Sequence, residues 1–347
     1  MLLIYGVTGY TGQLVLAEAL ACGLRPRLSG RTADAVRAIA EPHGLEWCAA
    51  ALEDEAAVDR ALEGITVVIH CAGPFSRTSR AMVDACLRRR VHYLDITGEI
   101  AVFEAVAARD AQAREAGVML MPGAGFDVVP SDCLAAHLKR RLPGATMLNL
   151  AFHGGTGLSR GTATTMAENA GSPGAVRRGG KIVAVPPAYR TRVIDFGDKA
   201  RLTATIPWGD VSTAFYSTGI PDIAVYTAMP ASSVRALKFS RYIAPILRLA
   251  FVRRRLVASI QKRPAGPSST QRERAVARLW GEAIDAQGRV VTSRLQTPDG
   301  YTLTAKTSVL AARRILDGQA KAGFQTPSRA FGADFILEVP GCTRTDL

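Results

Sequence analysis

The chain opens Met1-Leu2-Leu3-Ile4-Tyr5 and runs straight into Gly6-Val7-Thr8-Gly9-Tyr10-Thr11-Gly12, which limits its fold more than any other stretch. Residues 2–5 read as a short buried strand, and Gln13-Leu14-Val15-Leu16-Ala17-Glu18-Ala19-Leu20 continues as a helix. Strand, glycine turn and helix are the parts of a dinucleotide cradle. Gly6 allows the tight turn, Gly9 lets the backbone approach a pyrophosphate, and Gly12 lets helix and strand pack closely. The N–H groups at the helix start then face the anion.

The rhythm set by this unit continues to about residue 130. Apolar runs at 2–5, 27–29, 47–50, 66–70, 92–95 and 118–121 alternate with helical patterns at 33–40, 55–62, 79–89 and 102–115. This alternation predicts a Rossmann domain over 1–130, an α/β fold with a doubly wound parallel sheet. Its ligand contacts are expected at the strand ends. From Ser131 onward the pattern changes. A helix over 131–140 leads into period-two segments at 147–153, 181–185 and 199–205. Residues 289–296 and 301–306 read as a hairpin across Thr297-Pro298-Asp299-Gly300. Residues 131–322 are therefore expected to form a second, α+β domain with a mixed or antiparallel sheet that walls a substrate cavity. A helix at 307–316 and a last strand at 333–339 complete it, and 323–347 is a C-terminal segment expected to return to the interdomain region.

Composition narrows the class. At 347 residues, 48% hydrophobic and 21% charged, the chain has the make-up of a two-domain globular protein. Met1 leads directly into the first strand, so no signal peptide is expected and a cytoplasmic location follows. Six scattered cysteines, with no Cys-x-x-Cys pair, predict reduced thiols and no metal site. The net charge of +13 is spread over the chain without a nucleic-acid motif. It is read first as a solvated basic surface, then as a surface for an anionic partner, and nucleic acid is set aside. Residues 239–261 stand out as an apolar segment cut by Arg248 and Arg253-Arg254-Arg255. It is too interrupted to span a bilayer, which takes about 20 apolar residues. A covering helix is favoured over a helix in peripheral membrane contact, with a lid continuing to 269; a homodimer is an open alternative.

The end of the second strand bears on nucleotide choice. NAD-specific sites place a carboxylate there, but this chain has Leu28-Ser29-Gly30-Arg31-Thr32 and no acid until Asp34. Arg31 offers a planar, permanently charged fork suited to phosphate, and the expected cofactor is NADP(H). The fourth strand ends in Cys71-Ala72-Gly73-Pro74-Phe75, the fifth in Tyr93-Leu94-Asp95-Ile96-Thr97-Gly98-Glu99, and the sixth in Pro122-Gly123-Ala124-Gly125-Phe126-Asp127. All three are expected to converge on the nicotinamide.

Taken in order, these motifs, with Gly125-Phe126-Asp127-x-x-Pro130-Ser131-Asp132, resemble the saccharopine dehydrogenase-like oxidoreductases. Ser159-Arg160-Gly161-Thr162-Ala163-Thr164-Thr165, the stretch 207–214 and Ser217-Thr218-Gly219-Ile220-Pro221 are most similar to the trans-acting enoyl reductase branch. Gly323-Phe324-Gln325-Thr326-Pro327 extends the likeness towards the C-terminus. The resemblance implies that Gly6, Thr8, Gly9, Tyr10, Thr11, Gly12, Ser29, Arg31 and 72–75 bind NADP(H), and Gly30, Cys71 and Gly98 are placed with them. It implies hydride transfer to an unsaturated small-molecule or carrier-bound acyl substrate. C=C reduction of an enoyl group is preferred. C=N reduction of an amine adduct, and a non-catalytic NADP-binding sensor or scaffold, stay open.

A proton donor is expected among Asp127, Asp95 and Tyr93, with Glu99 a further strand-end candidate, each weighed against a turn-capping role. Ser159, Thr162 and Thr165 are candidate substrate contacts, against the alternative of ordinary hydroxyl turns.

Overall fold

The computed structural model describes residues 1–347, which divide into two units. One comprises Met1–Val129 with Gly300–Ala330, and the other Pro130–Asp299 with Phe331–Leu347.

The first unit is built on β1 (Leu2–Tyr5), β2 (Arg27–Gly30), β3 (Trp47–Ala49), β4 (Val67–His70), β5 (His92–Asp95) and β6 (Met119–Met121). They run parallel in the order β3-β2-β1-β4-β5-β6, and Gly323–Phe324 adds a seventh parallel strand beside β6. β1 and β4 are buried at every position, as a parallel sheet covered on both faces requires. Helices α1 (Tyr10–Ala21), α2 (Ala33–Ala40), α3 (Glu55–Ala61), α4 (Phe75–Arg89), α5 (Ile100–Ala107) and α6 (Asp110–Ala116) connect the strands. The pattern read as one helix over 102–115 is two, parted at Ala108-Arg109.

Residues 300–316 depart from the sequence reading. They form one helix, Gly300–Leu316, not a strand followed by a shorter helix. Its buried Leu303, Thr307, Ala311 and Ile315 recur every four residues, a helical spacing. Pro298-Asp299-Gly300 ends a strand instead of turning a hairpin. This helix packs on α1, β4 and β5, so 300–330 belongs with the cofactor-type sheet and not with the domain expected over 131–322. Thr307 donates to Ala124 O at 2.8 Å, and Lys306 reaches Glu18 at 3.2 Å.

The second unit carries a nine-stranded mixed sheet. Its path runs 191–195, 200–205, 222–228, 145–154, 276–285, 290–298 and 343–346, with 174–178 and 181–185 as a side hairpin on 222–228. Only 222–228 and 145–154 pair in parallel. The true hairpin joins 276–285 to 290–298. Residues 335–338 form a single 3-10 turn in place of the expected last strand, and Thr343–Asp346 supplies the edge strand. The helix Val129–Arg141 packs on this sheet at Gly281, where a Cβ would stand 2.6 Å from Leu138 Cδ1.

Beneath the strand ends of the first sheet lies an aromatic cluster. The His70 ring is 5.3 Å from Tyr5 and 5.4 Å from Phe75. Thr78 Oγ1 donates to Ala72 O at 2.7 Å, so His70 Nε2, 3.0 Å away, is the N–H donor to that hydroxyl. Nδ1 is left as a buried acceptor with no partner. Burial pushes the His70 pKa from 6.5 down to about 3. The unfolded chain takes up this proton first, so stability is complete above about 6.5 and falls as the pH drops towards 3. Between pH 7 and 4 the loss from this one group is on the order of 3 kcal/mol. His70→Phe is expected to show a correspondingly shallower acid-side decline in denaturant titrations; an equal decline would refute the assignment.

Candidate functional site

The glycine turn is built as its spacing demands. Gly6 has φ +84°, a region open to glycine at little cost. Its N–H donates to Ser29 O at 2.8 Å, and a Cβ there would lie 2.8 Å from Ala72 N. A Cβ on Gly12 would stand 2.4 Å from Gly6 O. The ends of β1, β2 and β4 and the start of α1 therefore meet at one point, where the sheet order reverses between β1 and β4. Gly9 is the N-cap of α1; no side chain caps this helix end, and its first turn holds no acidic residue. Thr8 and Gly9 are exposed, and Tyr10 and Thr11 half-buried, so the lip is open to a ligand. These features fit a pyrophosphate cradle.

At the end of β2 the predicted residues separate. Arg31 is exposed and free to face a phosphate. Ser29 is fully buried, with its hydroxyl 3.7 Å from Cys48 Sγ, so it supports the strand end. Gly30 is buried beside Val36.

The third segment follows β4. Ala72 is half-buried and Gly73 exposed, joined by a cis peptide to Pro74. Phe75 turns inward against His70 instead of offering a face to the nucleotide. The Cys71 thiol is pushed up to about 12, first by burial and then by Asp95, and stays protonated. Glu99, a further strand-end candidate for the proton donor in the sequence, has a structural task. Its carboxylate accepts from Phe75 N at 2.9 Å and Ser76 N at 3.3 Å, filling the N-terminus of α4. This second helix start thus carries its own anion, whereas that of α1 does not.

Two of the three expected proton donors are sealed. Tyr93 and Asp95 have no exposed surface. The Asp95 carboxylate accepts from Tyr93 OH at 2.7 Å, Thr97 N at 3.0 Å and Gly123 N at 2.8 Å. Burial pushes Asp95 up to about 6, and these donors oppose the rise, so it remains a carboxylate at neutral pH. The group clamps the end of β5 to the loop after β6, which is the turn-capping alternative. Asp127 differs. Its residue is only partly buried, yet desolvation pushes its pKa from 3.8 up to about 7. Gly98 makes room for it: a Cβ there would stand 2.5 Å from Asp127 Oδ2. Gly98 thus admits a carboxyl group, a role not read from the sequence.

The helix Gly300–Leu316, misplaced by the sequence reading, contributes here. Tyr301 meets Tyr10 edge-on at 5.2 Å, and Thr304 Oγ1 accepts from Phe126 N at 3.0 Å. Its period-four buried positions were the available signal.

In the second unit, Ser159 is the N-cap of the helix Arg160–Glu168, accepting from Thr162 N at 3.2 Å. Thr162 Oγ1 lies 3.1 Å from the same hydroxyl. Thr165 is half-buried, and its carbonyl accepts from Asn169. Asp132 is fully buried and accepts from Ser217, tying the helix Val129–Arg141 to the helix Asp210–Thr218. Arg177 donates to Val211 O at 2.8 Å and covers the Phe215 ring at 4.3 Å. These bonds tie Asp132, Ser159 and Arg177 into the fold.

A parallel sheet in this order, with a glycine turn after its central strand, defines a dinucleotide-binding α/β unit; a mixed-sheet unit completes the chain. Residues 2–121 match the family Saccharopine dehydrogenase NADP binding domain. The match covers the first unit as far as β6 and indicates a nicotinamide dinucleotide as its cofactor class. A trans-acting enoyl reductase of Mycobacterium leprae is 32% identical over 152 residues, 41% of this chain and 36% of that protein. A saccharopine dehydrogenase-like oxidoreductase of Homo sapiens is 26% identical over 163 residues, 41% and 38% of the two chains. The matched stretch thus spans little more than a third of these relatives. Among solved structures, apo saccharopine dehydrogenase (L-Glu forming) of Saccharomyces cerevisiae superposes with a TM-score of 0.69 at 13% identity, covering 100% of this chain and 99% of that one. This likeness extends the shared fold to both units.

Asp127 yields a direct check. Its folded pKa is raised, so its contribution to stability is lost as the pH rises through about 7. Asp127→Asn is expected to gain about 2 kcal/mol on the native protein between pH 5 and pH 8.5, after discounting for partial exposure. A pH-independent difference in urea unfolding would show that the carboxyl is not desolvated.

Proposed function

We propose that the protein is an NADPH-dependent oxidoreductase that reduces the C=C bond of an enoyl or acyl substrate. The observation that carries the cofactor half is the open cradle at Gly6, Gly9 and Gly12 beside an exposed Arg31. Asp34, the first acid after β2, is engaged by Arg37 at 3.0 Å, so it does not compete for a ribose hydroxyl. Relatives named trans-acting enoyl reductase, aligned over two-fifths of the chain, support the substrate half.

When bound, NADPH supplies the hydride. The chain's residues have three tasks. The α1 N-terminus holds the pyrophosphate, and Arg31 holds the additional phosphate. Asp127, with its pKa near neutrality, holds a proton at a carboxyl oxygen that only the glycine at 98 leaves room for. A proton donor poised in this way contributes typically ~10²–10⁴-fold.

The test is NADPH oxidation by the purified protein against matched enoyl-thioester and imine panels. Turnover of enoyl thioesters is expected. Turnover of imines alone would move the assignment to C=N reduction, and stoichiometric NADPH binding without turnover would make the protein a sensor. Arg31→Asp is expected to lower the NADP-over-NAD binding preference at least ~10-fold, since even a solvent-exposed charge pair is worth about 1 kcal/mol and the exchange adds repulsion. An unchanged ratio in fluorescence titrations would remove Arg31 from the site.

A further inference from the structure

The segment 231–263 forms two helices, Ala231–Leu247 and Ala250–Gln261, joined at Arg248-Leu249. A helix that covers a domain buries an apolar stripe. These two fully bury only Val234 and Ile260, with Leu237 and Val257 half-buried against neighbouring clusters. Much of their remaining apolar surface faces solvent. Phe239, Tyr242, Ile246, Leu249 and Phe251 are between 45% and 64% exposed. Phe239, Tyr242 and Ile246 fall at i, i+3 and i+7, one face of the first helix, with the Phe239 and Tyr242 rings 5.8 Å apart. Leu249 and Phe251 continue that surface around the turn.

Charge complements this surface. Residues 231–263 contain nine Lys or Arg and no Asp or Glu. Arg241, Arg254, Arg255, Lys262 and Arg263 are exposed. Arg248 and Arg253 instead anchor the pair to the Gly171 turn, donating to Gly171 O at 3.0 Å and Ala170 O at 3.2 Å. No helix is long and apolar enough to cross a membrane.

We infer that this helical pair is a docking surface for an anionic lipid bilayer. Its aromatic and aliphatic side chains enter the headgroup–acyl boundary while the arginines and lysines meet the phosphates. An exposed apolar face flanked by cations alone is the pattern of an interfacial helix. Anionic lipid attracts juxtaposed basic residues over about a Debye length, so the contact weakens with salt. An acidic carrier protein would satisfy the charge but leaves five large apolar side chains unexplained. The inference is independent of the enzymatic reading.

The experiment uses the full chain in vesicle co-sedimentation. Phosphatidylcholine vesicles are compared with vesicles containing 30% phosphatidylserine, on the order of 0.1 M salt, where the Debye length is about 10 Å. Binding to the anionic vesicles alone is expected. Phe239→Ser with Ile246→Ser and Phe251→Ser should reduce it at least ~10-fold. Arg254→Glu with Arg255→Glu should reduce it comparably and flatten its salt dependence. Unchanged thermal unfolding and NADPH binding confirm that the variants are folded. Three results overturn the proposal: no sedimentation of the wild type with anionic vesicles, sedimentation unaffected by the serine triple, or a self-association or acidic carrier-protein complex that the triple abolishes while no vesicle binding is seen.

Discussion

The contact on which the first unit depends is the crossing of the Gly6 carbonyl with the start of α1 at Gly12. No side chain fits there: a Cβ on Gly12 would fall 2.4 Å from that oxygen, and one on Gly6 would strike the Ala72 amide. Backbone resists such overlap because neighbouring strands fix it on both sides. The crossing brings β1, β2 and β4 together at their carboxyl ends and points α1 at whatever lies beyond. Because no side chain caps α1, its N-terminal dipole remains available. At α4 the same kind of helix end is already filled by Glu99. Two helix starts border this edge of the sheet, and the difference between them is one carboxylate.

That distribution of charge also separates the buried acids. Asp95 has three donors around it and can remain ionised at the cost of its hydration. Asp127 lies over Gly98, and desolvation dominates its titration. The same element of chemistry, a carboxyl at a strand end, becomes a clamp where donors converge and a proton store where they do not. Burial alone would not distinguish them; the surrounding amides do.

Much of this was legible in the sequence because backbone constraints leave short signatures. The glycine spacing located the cradle, and the six apolar runs predicted the six parallel strands of the first sheet, though not their order. The absence of an acid after β2 singled out Arg31. What escaped was set by long-range packing. Residues 300–316 follow a Pro-Asp-Gly turn and contain Tyr, Thr and Val, so local propensity reads a strand. Their period-four burial against α1 and β4 is decided by chain more than 200 residues away in sequence. The roles of Gly98 and Glu99 were hidden for the same reason, since each is defined by a partner about 25 to 30 residues distant. At 231–261 apolar character gave both cover and exposure: Ile260 and Val257 pack on Ala163 and Ala167, while Phe239, Tyr242 and Ile246 face water.

Several motif residues that mark the resemblance are bonded within the fold. Asp132 is bound to Ser217, Ser159 to Thr162, Arg177 to Val211, and Asp95 to Tyr93 and two amides. A side chain whose donors and acceptors are satisfied internally must give up a bond before it can recognise a ligand, and that exchange gains little. Beside these joints, the first unit has the uncapped α1 amides, exposed Thr8 and Arg31, and the desolvated Asp127 carboxyl over Gly98. All but one of these suit a phosphorylated dinucleotide. A likeness in fold and cofactor class therefore carries little about the substrate, because these joints serve the fold rather than a ligand.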